Sequence, residues 1–316
     1  MKPTAIYYDC LKYQAENLSF LKKTFNLIRF ESPIFTDFQL VKDAEAVFAP
    51  LVYKFDEAFF ENLPRLKAIV SNTTGIPHIN QNDCAQRRIK IFALHDDADF
   101  LETITPTAEH NIGLIISAAR RIPAAHSFAT SGRWDRRPWG SPKMLSRMSL
   151  GIVGYGRLGK MVGIIARAIG MTVQFYDPYC DGGMPSLLEL SKISDVLSIN
   201  AKVTEETKKM VSLEIIEAMP HNGILINTAR GEILDENALI ENLENGHLWA
   251  AALDTIDGEF DDGFTENYKD SRILNYAKNH DNLILTPHIG GSTIDAWAET
   301  ERRVISKLCD FYRGGK

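Results

Sequence analysis

Cysteine is scarce and unpaired in this sequence: Cys10, Cys84, Cys180 and Cys309 lie far apart, and no CxxC pair occurs. That pattern excludes a disulfide framework and a zinc ribbon, and no metal is expected. Positive charge is also in deficit, with 35 Lys and Arg against 41 Asp and Glu. The densest basic stretch, "RRPWGSPK", is too short for a phosphate-backbone footprint, so a nucleic-acid partner is not expected. Long apolar runs are missing too. "IGLIISAA" falls far short of the ~20 residues of a membrane helix, and the opening "MKPTAIYYDC" has no apolar signal core. The expectation is a cytoplasmic protein with no membrane partner. Internal repeats and low-complexity segments are absent as well.

What is present is a chain of 316 residues, 45% hydrophobic and 24% charged, enough for two domains with proper cores. In the first hundred residues "TAIYYD", "LIRFE", "AVFAP", "AIVSN" and "KIFAL" read as strands. "AENLSFLKKTF" and "DEAFFENLPR" read as helices between them. This alternation predicts a small parallel α/β unit. "TPTAEHNIGLIISAARRIPAAHSFA" then has helical spacing, with Pro106 near its start. Further strand–helix units follow through "VLSIN", "GILINT", "WAAALD" and "LILTPH". "ENALIENLENG" ends on Gly246 as a helix stop, and the tail "TIDAWAETERRVISKLCDFYR" is one more amphipathic helix.

The centre of the chain carries "LGIVGYGRLGKMVGIIARAIGMTVQFYD". Gly154, Gly156 and Gly159 form G-x-G-x-x-G between a strand and a helix. The first two glycines let backbone N–H groups reach a pyrophosphate, and the third lets helix pack on strand. Asp177 follows Gly159 by 18 residues, close to the spacing of an acid that binds a ribose hydroxyl. The plainer reading of Asp177 is a strand-end cap before Pro178. A carboxylate there would repel a 2′-phosphate, so NAD is expected over NADP.

Chemistry on a nicotinamide needs a proton partner, and histidine suits it. Of the eight histidines, His288 stands out because "LILTPHIGGST" places it just past a strand. Arg230 has a similar place in "ILINTARGEILD", where a guanidinium could clamp a carboxylate through two hydrogen bonds. Glu259, in "AALDTIDGEF", could orient a histidine and favour its charged form. Each residue alone also fits a surface pair, a solvated charge or a strand-end cap, and spacing does not bring the three together.

Taken together, these segments resemble the D-isomer-specific 2-hydroxyacid dehydrogenases over nearly the whole chain. The glycine segment is similar to that family's cofactor signature. "SDVLSINAKVTEETKKMVS" and "MPHNGILINTARGEILDENAL" are similar to its two later signatures, and "AALDTIDGEF" and "NLILTPHIGGST" to the segments carrying the acid and the histidine. The resemblance implies a Rossmann-type NAD-binding domain, residues 99–292, inserted into a flavodoxin-like substrate domain, residues 1–98 plus 293–316. Hinges would fall near 96–104 and 287–293, with NAD between the domains. It implies catalytic Arg230, Glu259 and His288, acting on a small 2-oxo or D-2-hydroxy acid held by Arg230, His288, Thr74 and Gly75. The cofactor would meet the glycine turn (Gly154, Tyr155, Gly156, Arg157, Leu158, Gly159) and Asp177. Asn200, Ala201 and Thr207 would follow, then Thr228, Ala229 and Arg230. Asp254, His288, Gly290 and Thr107 would complete its contacts. A homodimer through the helix after Pro106 and the turn-rich arm is implied too. An NAD-sensing binding protein of the same fold and a phosphite-type dehydrogenase stay open as alternatives.

Four departures from the family pattern stand out. The substrate loop reads Gly75-Ile-Pro77-His78-Ile-Asn80 and lacks two acids often found there. Ser71 stands near where phosphoglycerate-type members carry an arginine, which argues against a phosphorylated substrate. Asn200-Ala201-Lys202-Val203-Thr204 replaces the familiar HxPxT. Finally, the segment 261–280 is longer than usual, as a lid, an interface element or a surface excursion.

Overall fold

The computed structural model describes residues 2–261 and 263–314. Met1, Asp262, Gly315 and Lys316, which the expected ranges include, lie outside the described residues. Contacts divide the chain into two units, Met1–Ile104 with Ser292–Lys316, and Thr105–Gly291. The second is thus inserted in the sequence of the first.

The first unit is a parallel five-stranded sheet: β1 (Thr4–Tyr8), β2 (Asn26–Phe30), β3 (Ala46–Phe48), β4 (Ala68–Val70) and β5 (Lys90–Phe92). Its order, β2-β1-β3-β4-β5, is the flavodoxin-like one. These are the five runs read as strands in the sequence. β-Branched and aromatic residues fill them, and both faces are covered. On one face Tyr7, Phe48 and Val70 pack with Val304, Ile305 and Leu308 of the terminal helix Ile294–Gly314. On the other, Ile6, Val47 and Ile69 pack with Phe55 and Phe60. Glu301 is almost fully buried, and it accepts hydrogen bonds from the Gln14 N–H at 2.8 Å and Asn17 Nδ2 at 2.9 Å.

The division falls at 104/105 and 291/292 rather than at 98/99 and 292/293. The helix Ala98–Glu102 is the reason: it buries Leu101 in the first unit's core. Just before it, Asp97 pairs with Arg303 at 2.6 Å and Lys307 at 3.0 Å. The hydrogen bond from Arg303 leads in pulling the Asp97 carboxyl down to about 2.

His78 sits in the loop after β4 with 5% of its surface exposed, and among the described residues neither ring nitrogen makes a hydrogen bond of good geometry, only a weak approach to the Ala49 backbone. Burial lowers its pKa to about 4. The native imidazole therefore stays neutral down to about pH 4, while an unfolded one charges at about 6.5. Between those values the unfolded chain holds the extra proton, so stability is lost as pH falls through that window, by up to about 3 kcal/mol. Urea midpoints measured from pH 7 to 4.5 are expected to fall less steeply in His78→Leu than in the parent; equal slopes would refute this. One missing acid of this loop is also accounted for. Asn80 Oδ1 accepts from the Asn82 and Asp83 N–H groups and caps the helix Gln81–Gln86 as an aspartate would.

The second unit is a parallel six-stranded sheet: β6 (Ser149–Val153), β7 (Thr172–Tyr176), β8 (Val196–Ile199), β9 (Gly223–Asn227), β10 (Leu248–Leu253) and β11 (Leu283–Leu285). The order β11-β10-β9-β8-β6-β7 puts β7 and β8 on opposite sides of β6. That reversal is where doubly wound sheets bind ligands, beyond the carboxyl ends of the strands. One helical layer buries Leu225, Leu239 and Leu253, and the other buries Ile115, Val162 and Ile226. Among the described residues no helix is long and apolar enough to cross a membrane.

Two sequence expectations change form. The helix expected after Thr105 breaks into Pro106–Arg120 and Ile122–Thr130. Arg121 takes φ +47° between them, and its guanidinium stacks 3.9 Å from the Trp249 ring centroid. Pro123 lacks the N–H that a continuous helix needs. The segment 261–280 holds the helices Phe264–Lys269 and Arg272–Asn279, with Ile273 and Tyr276 buried in the core. It is the crossover that the parallel pair β10 and β11 requires.

Candidate active site

The glycine turn follows β6. Gly154 has φ +86°, and a Cβ on it would lie 2.7 Å from the Ala201 backbone. A Cβ on Gly159 would lie 2.2 Å from the Gly154 carbonyl oxygen, while one on Gly156 would meet nothing within 4 Å. The turn is thus tight behind and open in front. Arg157 and Leu158 begin the helix Arg157–Ala168, which has no side-chain cap at Gly156. These are the features a dinucleotide pyrophosphate needs: uncovered backbone and a positive helix end.

Asp177, at the end of β7, accepts the Tyr155 N–H at Oδ2 (2.7 Å) and the Tyr179 N–H at Oδ1 (2.9 Å). The plainer strand-end reading therefore holds for these two bonds. Each oxygen keeps a further lone pair for a ribose hydroxyl. The Tyr155 ring stacks on Phe175 at 3.8 Å, and its hydroxyl accepts from Arg167 Nη1 at 3.3 Å. Past β8, Thr207 Oγ1 accepts the Thr204 N–H and donates to the Lys202 carbonyl, and so closes the Lys202–Thr207 turn.

A buried polar network holds the ends of β8 and β9. Asn111 Nδ2 donates to Ser198 Oγ at 2.9 Å and to Thr228 Oγ1 at 2.8 Å, and Asn200 Nδ2 donates to Ser198 Oγ at 2.9 Å. Asn227, fully buried, accepts the Ala229 N–H and donates to the Arg230 carbonyl. The backbone under Arg230 is therefore fixed from one side chain. The guanidinium itself donates Nη1 to the Ala229 carbonyl at 2.6 Å, and among the described residues it has no carboxylate partner.

At the ends of β10 and β11, His288 Nδ1 lies 2.9 Å from Glu259 Oε1. Their side chains are 34% and 12% exposed, so the pair is shielded on the acid's side and open on the histidine's. A carboxylate only accepts, so Nδ1 carries the hydrogen and Nε2 faces away with the second one when the ring is charged. His288 has φ +52°, a conformation that L-residues other than Asn, Asp and His seldom adopt. Its N–H donates to the Asp254 and Thr286 carbonyls, both at 2.9 Å.

Asp254, expected among the cofactor contacts, has both oxygens engaged by protein. Oδ1 accepts from Thr286 Oγ1 (2.5 Å) and the Ile289 N–H (2.9 Å), and Oδ2 accepts from the Gly290 N–H (2.8 Å). His110 Nε2 lies 3.2 Å from Oδ1. Burial works to raise this carboxyl, but these hydrogen bonds outweigh it and hold it below the usual range. Asp254 thus clamps both sides of His288. Gly290 faces Thr107: a Cβ on it would lie 3.4 Å from Thr107 Cγ2.

Arg230, Glu259 and His288 all belong to the second unit, whereas Thr74 and Gly75 follow β4 in the first. Thr74 is exposed, and Thr73 Oγ1 donates to the Gly75 carbonyl at 2.6 Å. Asn111, His110, Asn227 and Thr286 escaped the sequence reading. The only hint was the run "TAEHN", polar residues on an otherwise apolar helix. Among the described residues no group of three or more His, Cys, Asp or Glu could hold a metal ion.

The family model of the D-isomer specific 2-hydroxyacid dehydrogenase NAD-binding domain matches residues 112–290. A glyoxylate reductase of Pyrococcus furiosus is 29% identical over 87% of this chain and 81% of its own. A D-3-phosphoglycerate dehydrogenase of Bacillus subtilis is 31% identical over 83% of this chain, which spans only 48% of that enzyme. The crystal structure of a D-lactate dehydrogenase from Aquifex aeolicus, complexed with NAD and lactic acid, superposes with a TM-score of 0.81 at 25% identity. It covers 98% of this chain and 96% of that one. The glycine turn, the strand order and these relatives agree: the chain belongs to the D-isomer-specific 2-hydroxyacid dehydrogenases, which bind NAD or NADP and transfer hydride to or from 2-hydroxy acids.

Proposed function

We propose that the protein reduces a small, unphosphorylated 2-oxo acid with NADH, or oxidises the corresponding D-2-hydroxy acid. One observation carries the reading. A guanidinium that has no carboxylate partner among the described residues and a carboxylate-held imidazole stand at the carboxyl ends of neighbouring strands β9, β10 and β11. Bound NADH supplies the hydride. Arg230 binds the substrate carboxylate and polarises the adjacent carbonyl. His288 Nε2 gives its proton to the carbonyl oxygen as charge develops there, and Glu259 holds the ring in line and stabilises the imidazolium. In the reverse direction the same nitrogen takes the hydroxyl proton.

The serine at position 71, near where phosphoglycerate-type members carry an arginine, supports the substrate class. Ser71 is 1% exposed and its hydroxyl is tied to Thr73 Oγ1 at 2.7 Å. The test is NADH oxidation at 340 nm against glyoxylate, hydroxypyruvate, pyruvate, 2-oxoglutarate, and bulkier and phosphorylated acids. A clear preference in kcat/KM for a small unphosphorylated acid is expected. Silence across the panel with NADH still bound would overturn the reading.

Preference for NADH over NADPH rests on Asp177, whose charge at the end of β7 opposes a 2′-phosphate. Asp177→Ser keeps an oxygen for the Tyr155 N–H and removes the charge. The NADH-to-NADPH ratio of kcat/KM is expected to fall at least about tenfold, from a few kcal/mol of relieved repulsion. An unchanged ratio would show that another group sets the choice.

A further inference from the structure

Glu236 is the first residue of the helix Glu236–Glu244, six residues after Arg230 along the same segment. Its helix is already capped by Asp235, whose carboxylate accepts the Asn237 and Ala238 N–H groups. Glu236 is therefore free of the usual first-turn duty. It reaches across the fold instead, and its Oε1 accepts the Asp257 N–H at 2.9 Å. Asp257 stands two residues before Glu259, in a turn closed by the Glu259 N–H donating to the Ile256 carbonyl at 3.2 Å. The same turn touches the Arg230 segment directly: a Cβ on Gly231 would lie 2.0 Å from the Asp257 nitrogen.

We propose that Glu236 is a positioning residue: by accepting the Asp257 N–H it holds the turn that presents Glu259 to His288, and ties that turn to the segment bearing Arg230. This rests on the reading of Glu259 and His288 given above. A hydrogen bond to a charged acceptor is stronger than one to a neutral acceptor, so the hold is firmest when Glu236 is ionised.

The charges around Glu236 make that state sensitive to pH. Asp235 lies on its own helix and Asp257 on the turn. Lys209 approaches from the turn 205–209, while Tyr268 and Arg272 come from the two crossover helices. Burial leads in raising the Glu236 carboxyl to about 7; the Asp257 N–H and Lys209 oppose this, and the two aspartates add to it. Protonation through neutrality weakens the acceptor, so kcat should acquire an acid limb that does not belong to the His288–Glu259 pair.

The experiment measures kcat and KM from pH 5.5 to 9 with NADH and glyoxylate, the smallest acid of the panel, and NADH affinity by fluorescence. Glu236→Ala is expected to lower kcat on the order of ten- to a hundredfold, with NADH affinity within about twofold. Glu236→Gln, a neutral acceptor like the protonated acid, should keep part of the hold, so its kcat at pH 7 should fall between those of the parent and Glu236→Ala, and the acid limb should flatten. Unchanged kcat in Glu236→Ala, or an unchanged acid limb in Glu236→Gln, would overturn the proposal. If Glu236→Ala fails to fold, the acid limb of Glu236→Gln decides alone. Glu259→Gln separates the two levels. A slow Glu259→Gln beside silent Glu236 variants removes only the positioning role, whereas a fully active Glu259→Gln removes the reading beneath it.

Discussion

Replacing His288 with asparagine is expected to lower kcat by about 10²–10⁴ while NADH affinity changes little. Asparagine is chosen for the backbone. At φ +52° most side chains would strain the chain, by on the order of 1–3 kcal/mol. Asparagine tolerates this region best, and its amide can still donate to Glu259. What it cannot do is carry a proton to a carbonyl oxygen at neutral pH. The backbone bonds that fix the loop, from the His288, Ile289 and Gly290 N–H groups to Asp254, do not involve the imidazole. Steady-state turnover with NADH, alongside NADH titration by fluorescence, checks both halves of the expectation. Retention of full kcat would remove His288 as the proton donor. A parallel loss of NADH binding would assign it to the cofactor site instead.

The legibility of this fold and site divides along a physical line. The strands could be read because burial on both faces demands unbroken apolar runs, and "GILIN" and "LWAAAL" can be little else. The glycine turn was readable because its requirements are local: a positive φ at Gly154, and no room for a Cβ at Gly159. The strand-end placing of Arg230 and His288 also follows from chain order. The partnerships were not readable. Asn111 meets Ser198 across 87 residues and Thr228 across 117, and His110 meets Thr286 across 176. No period or spacing encodes such pairs. Asp254 and Glu236 illustrate the same point. In the sequence one is an acid after a strand and the other an acid at a helix start. Their purposes appear only when the backbone N–H groups they accept from are known. The break at Arg121 was hidden for a related reason, since apolar periodicity runs on through a residue whose conformation is set by Pro123 and by its stacking on Trp249.

Gly231→Ala is the second large effect, and it tests whether the Arg230 and Glu259 segments work as one piece. A methyl group at this position would lie 2.0 Å from the Asp257 nitrogen, 2.1 Å from the Ile256 carbonyl carbon and 2.6 Å from its oxygen. All three atoms are backbone, so no rotamer change relieves the clash, and the two segments must separate. Separation strains the Asp257 N–H bond to Glu236 and shifts Glu259 away from His288 Nδ1. Overpacking of this kind costs about 1–3 kcal/mol or more, and a displacement of about 1 Å at reacting groups costs on the order of a hundredfold in rate. The variant is therefore expected to unfold at lower urea and, where still folded, to lose kcat by about a hundredfold. NADH should still bind, because the glycine turn after β6 lies on other strands. Gly159→Ala should do the opposite, since its methyl would meet the Gly154 carbonyl oxygen at 2.2 Å and disturb NADH binding first. If Gly231→Ala kept both its urea midpoint and its kcat, the two loops would be independent. The coupling from Arg230 through Gly231 and Asp257 to Glu259 would then have no part in the site.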